Sequence, residues 1–239
     1  MEEFLDVKSE QVNSQSLVKE FFTGVYTFMF MALVISGAVS WYMANSGLFQ
    51  EWFINYETQS VSPMFYVVAF APLGLVLLIQ SKFQTFSMGT LVALFILYAA
   101  LIGASISSIF FVYSLGDIVS TFFVTAGAFA AMAVLGYTTS VDLSKMGSLL
   151  YMAFIGIFIA AIVNMFIGSS WLGYVISIAG VFIFTGLTAW EMQKLKGIAQ
   201  DPQYSNEDRK KHSLMGGLML YILFVNLFLS LLHLIGGRD

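Results

Sequence analysis

The chain contains one stretch of 45 residues, from Met146 to Trp190, that carries no formally charged side chain. A membrane-spanning helix needs about 20 apolar residues to cross a hydrocarbon layer of about 30 Å, so this stretch is too long for one span even with tilt. Gly168, Ser169 and Ser170 form the only plausible turn inside it. The stretch therefore predicts two membrane-spanning helices joined by a tight turn.

The same apolar character extends along almost the whole chain. Of its 239 residues, 59% are hydrophobic and 10% are charged, against about 45–50% and about 25% in soluble domains. The 24 Phe and 13 Met, with only 3 Pro, are typical of lipid-facing helices rather than the alternating strands of a membrane barrel. We predict an all-α membrane protein in which a polar N-terminus, 1–20, precedes a single seven-helix domain, 21–236. Its predicted spans are about 21–44, 64–80, 88–113, 118–137, 148–168, 171–191 and 214–235.

Basic residues predict the orientation of these spans, because cytoplasmic connections carry an excess of Lys and Arg. With a cytoplasmic N-terminus, an odd number of spans leaves only Arg238 outside. Nine basic residues then lie inside: Lys8, Lys19, Lys82, Lys145, Lys194, Lys196, Arg209, Lys210 and Lys211. The sequence therefore predicts a multi-pass protein with its N-terminus in the cytoplasm and its C-terminus outside.

Several classes of function conflict with the residue inventory. The chain has no cysteine and only two histidines, His212 and His233, whose separation does not match a metal-site spacing. No nucleophile with an adjacent base and no phosphate-binding glycine loop can be assembled, so we predict neither an enzyme nor a bound cofactor. The formal charge of −4 argues against a nucleic-acid partner.

Glu191 is the only acid at the edge of an apolar run rather than in an evident loop. An ionisable group in this position is a functional candidate by default, because burying a charge in lipid is costly unless it is paired or hydrated. Alternatively, Glu191 lies at the cytoplasmic interface and pairs with Lys194 three residues later. Position alone does not choose between these two interpretations.

Other polar residues near or within the spans have structural interpretations that compete with functional ones. Asn164 and Asn226 lie nearer the middle of their spans and can form packing hydrogen bonds between helices or line an ion path. His233 is expected at headgroup level near the outer end of its span. A serine cluster at 105–108 either lines a hydrated path or returns its hydroxyls to carbonyls of its own helix.

Two local patterns predict a helix start and helix contacts. Ser205 followed by Asp208 resembles a capping box, so a helix is expected to begin near Ser205 and run into the last span. Small residues at close spacing permit tight helix approach, and they occur as Gly127 with Ala131, Gly156 with Ala160, and Gly216 with Gly217. From the residues alone, a channel, a transporter, a receptor and a scaffold all remain open.

Three segments together resemble one known family. They read GASISSIFFVYS, TFFVTAGAFAAMAVLGYTTSVDLSKMGSLLYMAFIGIFIAAIVNMFI and VFIFTGLTAWEMQKLK. From about Phe21 to Ile235 the chain resembles the transmembrane Bax inhibitor motif family, also called the Bax inhibitor-1 family, and most closely its bacterial members. The resemblance implies seven helices, one of them central and wrapped by the others. It also implies a pH-sensitive calcium leak across the bacterial inner membrane.

The family's proposed sensor is a pair of carboxylates on the last two helices. The motif that holds the first reads Thr188-Ala189-Trp190-Glu191-Met192-Gln193-Lys194 here, so Glu191 takes the first position. The resemblance implies that Glu191 contacts calcium transiently. The motif that holds the second reads Leu220-Tyr221-Ile222-Leu223-Phe224-Val225-Asn226-Leu227-Phe228, so Leu223 stands where the second acid is expected. A lone carboxylate cannot share a proton with a partner, and altered pH gating is therefore expected.

The family's basic latch near the end of the second helix has no arginine here, and Lys82 is only a candidate for it, because an ammonium offers no bidentate fork. The expected contacts are the lipid bilayer and calcium or protons. Some bacterial relatives are regarded as modulators of a membrane-bound protease, and eukaryotic ones as cell-death suppressors. For such a role the polar N-terminus and the 192–212 connection are the expected binding surface.

Overall fold

The computed structural model describes residues 2–55 and 60–237, with side chains from residue 15 onward. Its helices are α1 Glu2–Ser46, α2 Leu48–Phe53, α3 Pro63–Lys82, α4 Met88–Ile106, α5 Ile109–Val112, α6 Leu115–Thr138, α7 Ser144–Ile167, α8 Ser170–Gln200 and α9 Asn206–Ile235. A short antiparallel ribbon pairs β1 Ile54–Asn55 with β2 Ser60–Val61. Seven helices in the described ranges are long and apolar enough to cross a membrane, which confirms the predicted all-α bundle.

Helix α9 is the central helix of the bundle. It packs against α1, α4, α6 and α8, and half of its most apolar window is buried inside the protein. Large side chains on several of its faces are fully enclosed, among them Leu218, Tyr221 and Leu227. A helix that is apolar around most of its circumference is stable only when other helices cover it. This confirms the expectation that one helix is wrapped by the others.

The α8–α9 connection is closed by local hydrogen bonds. The Ser205 hydroxyl accepts from the backbone N–H of Asp208 at 3.1 Å and donates to its carboxylate at 2.6 Å, which confirms the predicted capping box. The Arg209 guanidinium donates to the backbone carbonyls of Ala199 and Asp201 at 2.6 and 2.7 Å. The end of α8 is therefore fastened to the first turn of α9.

The bundle has two sides, defined here by its connections. The connection side carries the α8–α9 segment 201–205 and the loops that join α3 to α4 and α6 to α7. The turn side carries the α7–α8 turn, where Gly168 adopts a left-handed conformation with φ of 69°, and the end of α9. Two basic residues used in the orientation count, Lys8 and Arg238, lie outside the described side chains.

The helices differ most from the charge-free runs at three places. Helix α1 already begins at Glu2, whereas the first apolar run begins near residue 21. Residues 107–108 interrupt the run 88–113, so that the short helix α5 follows α4. The Ser107 hydroxyl donates to the Ala104 carbonyl, and the Ser105 hydroxyl donates to the carbonyls of Leu101 and Val68, so these serines bond to backbone. Helix α8 continues nine residues past Glu191, because its last turns are held by contacts with other elements rather than by lipid.

Only one of the three small-residue pairs mediates close packing in the described structure. A Cβ added to Gly217 would meet the Phe28 side chain at 2.7 Å and the Val25 carbonyl oxygen at 2.8 Å, so α1 and α9 approach each other closely there. A Cβ added to Gly127 or Gly156 would meet no described atom within 4 Å. The packing prediction is therefore confirmed for the glycines of α9 and wrong for these other two positions.

Candidate functional site

Glu191 lies inside the bundle rather than at its surface. The residue is 4% exposed, and both carboxylate oxygens accept from the Lys194 ammonium at 3.2 Å. The lysine side chain itself remains 46% exposed. The predicted ion pair with Lys194 is thus present, but the carboxylate it neutralises is buried. A buried carboxylate is tolerable only with such a partner.

Aromatic packing against α7 positions this ion pair. The indole of Trp190 lies against the Cα of Gly147, where any side chain would collide with the ring. The Tyr151 ring meets the indole edge-to-face at 5.7 Å between centroids, and the Lys194 ammonium lies 5.4 Å from the indole centroid. Gly147 is therefore required for α7 to approach the segment of α8 that carries Glu191.

Gln193 fixes the same segment from the connection side. Its side-chain oxygen accepts from the Leu143 backbone N–H at 2.8 Å, and its amide donates to the Val141 carbonyl at 2.7 Å. Lys196 adds a hydrogen bond to the Tyr137 carbonyl at 2.9 Å. The α6–α7 loop is consequently fastened to α8 beside Glu191. Sequence reasoning missed this role of Gln193, because nothing in the local pattern indicates a partner about 50 residues away.

Glu191 and Leu223 line the same small cavity, here called the Glu191 cavity. Its volume is about 30 Å³, and its lining comprises Tyr151, Phe154, Phe184, Leu187, Trp190, Glu191, Met219, Ile222 and Leu223. Side chains lean toward the N-terminus of their own helix. Because α8 and α9 run antiparallel, Glu191 leans toward the turn side and Leu223 toward the connection side. The two positions that carry acids in the family motifs therefore meet in one space.

The charge environment of the Glu191 cavity is sparse. The α9 wall offers only the apolar side chains of Met219, Ile222 and Leu223. Lys194 is the basic residue that contacts the carboxylate. Lys82 is exposed in the last turn of α3, a helix that packs mainly on α4, and it is not part of the cavity lining. The structure therefore does not bring the candidate latch residue to Glu191.

A larger cavity, here called the vestibule, opens between α7, α8 and α9 near the turn side. Its volume is about 360 Å³. Both predicted asparagines, Asn164 and Asn226, line it together with Ser177, Ser230 and His233. The histidine expected at headgroup level thus shares a cavity with both amides. Sequence spacing within single helices could not reveal this arrangement, because it depends on how three helices meet.

Local hydrogen bonds hold the polar side chains of the vestibule. The Asn164 side-chain oxygen accepts from the Ser169 backbone N–H at 3.1 Å, and the Asn226 amide donates to the Ile222 carbonyl at 2.8 Å. The Ser177 and Ser230 hydroxyls donate to the carbonyls of residues four positions earlier. These bonds fix the side chains without filling the space between the helices.

The donor set does not form a permanent calcium site. Calcium prefers about six to eight oxygen ligands, usually with several carboxylates. No group of three or more His, Asp or Glu side chains that could hold a metal ion occurs among the residues whose positions are described.

The fold and the buried carboxylate define a seven-helix membrane protein with two cavities between its last three helices. The chain belongs to the Bax inhibitor family, because residues 18–239 match the family described as "Inhibitor of apoptosis-promoting Bax1". This confirms the resemblance found in the three sequence segments. The match begins close to the point where the polar N-terminus ends.

Bacterial relatives resemble the chain over nearly its full length. It is 39% identical over 228 residues to the inner membrane protein YbhL of Escherichia coli K12, covering 95% of each chain. It is 41% identical over 229 residues to an uncharacterized protein of Borreliella burgdorferi, covering 95% of this chain and 97% of the relative. The first of these relatives is an inner membrane protein by name.

Proposed function

We propose that this protein is a cation leak of the bacterial inner membrane, that calcium is the permeating ion, and that Glu191 controls its passage. The observation that carries the proposal is that the buried Glu191 and Leu223 of the next helix line one small cavity. A carboxylate that is 4% exposed has a clear physical use if a cation must pass beside it. The resemblance to calcium leaks of this family supports calcium as the ion.

Competition for Glu191 provides a mechanism. In the closed bundle the Lys194 ammonium neutralises the carboxylate at 3.2 Å. A calcium ion that enters the cavity competes with this ammonium, and a proton on the carboxylate weakens the attraction for either cation. Tyr151 from α7 and Lys194 from α8 are the ionisable neighbours, while α9 contributes only apolar side chains. Proton control therefore depends on one carboxylate and its ammonium partner.

Calcium flux into liposomes tests the proposal directly. We expect purified protein, reconstituted with an enclosed calcium dye, to admit calcium faster than protein-free liposomes do, and the rate to change with pH. Folded protein that admits no calcium must be distinguished from misfolded protein, so thermal unfolding in detergent is measured on the same preparation. Folded protein that admits no calcium at any pH would contradict the proposal.

A protein-binding role is the second candidate. The observation in its favour is a groove of about 1070 Å³ on the connection side, between α1, α6 and α8, whose lining includes Lys19, Thr23 and Arg209. A groove with both apolar and basic side chains can bind a protein partner, and a membrane-bound protease whose activity this protein modulates is the candidate. Absence of calcium flux together with copurification of a protease would favour this role.

Orientation is a separate proposal, in which the connection side faces the cytoplasm. The basic residues described there include Lys82, Lys145, Lys196 and Arg209. We expect a C-terminal alkaline phosphatase fusion to be active and a cytoplasmic fluorescent reporter at the same site to be inactive. An inactive phosphatase with an active cytoplasmic reporter would reverse the orientation.

A further inference from the structure

The vestibule and the Glu191 cavity are separated by two aromatic rings. Only Phe154 of α7 and Phe184 of α8 belong to the linings of both cavities. Their rings meet edge-to-face, with 5.9 Å between centroids and an interplanar angle of 66°. Phe184 is 4% exposed. The pair therefore closes the space that would otherwise connect the vestibule to Glu191.

One face of α8 explains why the closure lies at this level. Side chains spaced three and four residues apart share a helix face. Along this face, from the turn side inward, α8 presents Gly173, Ser177, Gly180, Phe184, Leu187 and Glu191. The first three are small, which leaves room for the vestibule beside α9. Ile176 also lines the vestibule on this side of α8, and Phe184 is the first aromatic side chain on the face, where the vestibule lining of α8 ends.

The other two helices repeat the same order. On α9, His233, Ser230 and Asn226 precede Leu223 toward the connection side, and on α7 Asn164 lies ten residues, about 15 Å, from Phe154. Polar groups thus lie on the turn side of the rings on all three helices. A constriction lined by apolar side chains excludes water and stops ions without a charged barrier.

Helix α7 is well suited to move one of the two rings. Extensive packing joins it to α8 only, and no residue in its most apolar window is buried. The buried residue of α7 is Gly147, which meets Trp190 at the connection-side end of the helix. A tilt of the turn-side half of α7 would separate Phe154 from Phe184. The contacts of α8 with α9 need not change in this movement.

We propose that the Phe154 and Phe184 rings form the hydrophobic barrier between the vestibule and Glu191. The inference rests on the proposed function, because a barrier has a role only if a path exists. It concerns access to the Glu191 cavity by water and small cations. This access can be measured without any calcium flux.

The chain has no cysteine, so single cysteines report access without background labelling. A membrane-impermeant, positively charged methanethiosulfonate reagent is applied from the turn side to reconstituted protein. We expect Asn164→Cys, at a partly exposed position of the vestibule, to react readily and Leu223→Cys, in the Glu191 cavity, to react slowly. Adding Phe154→Ala should accelerate modification of Leu223→Cys by about tenfold or more, because the apolar closure is removed.

Phe158→Ala is the matched control, because Phe158 lines the vestibule but not the Glu191 cavity. This variant removes a phenyl ring one helical turn from Phe154, at 6.2 Å between the two ring centroids. It should leave the labelling rate of Leu223→Cys unchanged. Phe154→Leu, which retains apolar bulk, gives a second measurement if the alanine variant unfolds. Equal rates for Leu223→Cys with and without Phe154→Ala, or equal acceleration by Phe158→Ala, would overturn the proposal.

Calcium flux separates this proposal from the proposed function. Faster labelling in Phe154→Ala with no calcium flux in any variant would support the barrier and contradict the calcium leak. Calcium flux in the parent protein with unchanged labelling in Phe154→Ala would support the leak and contradict the barrier. If both proposals hold, Phe154→Ala should also increase the calcium leak, again by about tenfold.

Discussion

Glu191→Gln is expected to lower calcium flux by about tenfold, equivalent to about 1.4 kcal/mol, and to remove most of its dependence on pH. The amide retains the shape of the side chain but has no charge to attract a cation and no proton to gain. It also leaves the Lys194 ammonium, on a side chain that is 46% exposed, without its partner at 3.2 Å. Flux into liposomes across a pH series measures both effects.

Two variants make this result specific. Glu207→Gln makes the same chemical change at a carboxylate that also pairs with a lysine, Lys211 at 3.7 Å, but whose side chain is 78% exposed, and it should leave flux unchanged. Glu191→Gln combined with Lys194→Gln removes both charges and should recover part of the lost flux. Equal flux in Glu191→Gln and parent at every pH would leave the carboxylate with a structural role only.

Leu223→Asp is expected to create a titrating pair with Glu191. Both side chains line one cavity of about 30 Å³, so two carboxylates there would repel each other and bind protons as a coupled unit. Flux should then depend on pH more steeply, or change over a different pH range, than in the parent. Without the second acid, protonation of Glu191 relieves no repulsion. The parent is therefore expected to respond to protons more weakly than relatives that retain both acids.

Burial of a new acid can also destabilise the bundle. Thermal unfolding in detergent is therefore compared for Leu223→Asp, Leu223→Asn and the parent. The asparagine variant is polar and nearly the same shape but carries no charge, so it should keep the parental dependence of flux on pH. If folded Leu223→Asp shows the same dependence as the parent, the two sites are not coupled and the carboxylate sensor should be abandoned for this chain.

Features that depend on sequence nearby were predictable. The 45-residue run Met146 to Trp190 required a turn at Gly168, and the spacing of Ser205 and Asp208 indicated the start of α9. The i,i+3 pair of Glu191 and Lys194 followed from helix geometry alone. Each of these inferences uses residues within one or two turns of a helix or within one span.

Features that depend on how distant helices meet were not predictable. Glu191 was equally consistent with an interfacial position, because the polar residues that follow it did not show that α8 continues to Gln200. Its burial arises from Trp190 packing on Gly147, a contact between residues 43 positions apart. Likewise, Asn164 and Asn226 were separate packing candidates until three helices placed them in one vestibule. Small-residue spacing also failed at Gly156, where the pattern faces outward.

Helix α9 is unbroken from Asn206 to Ile235, and Arg209 anchors its first turn to the end of α8. Leu223 lies 17 residues along it, about 26 Å from its start. A helix without a break moves as one element, so a rotation of one end is transmitted to the side chains along its length. We therefore expect a protein that binds the 201–205 connection to displace Leu223 and so to change the Glu191 cavity from outside the bilayer.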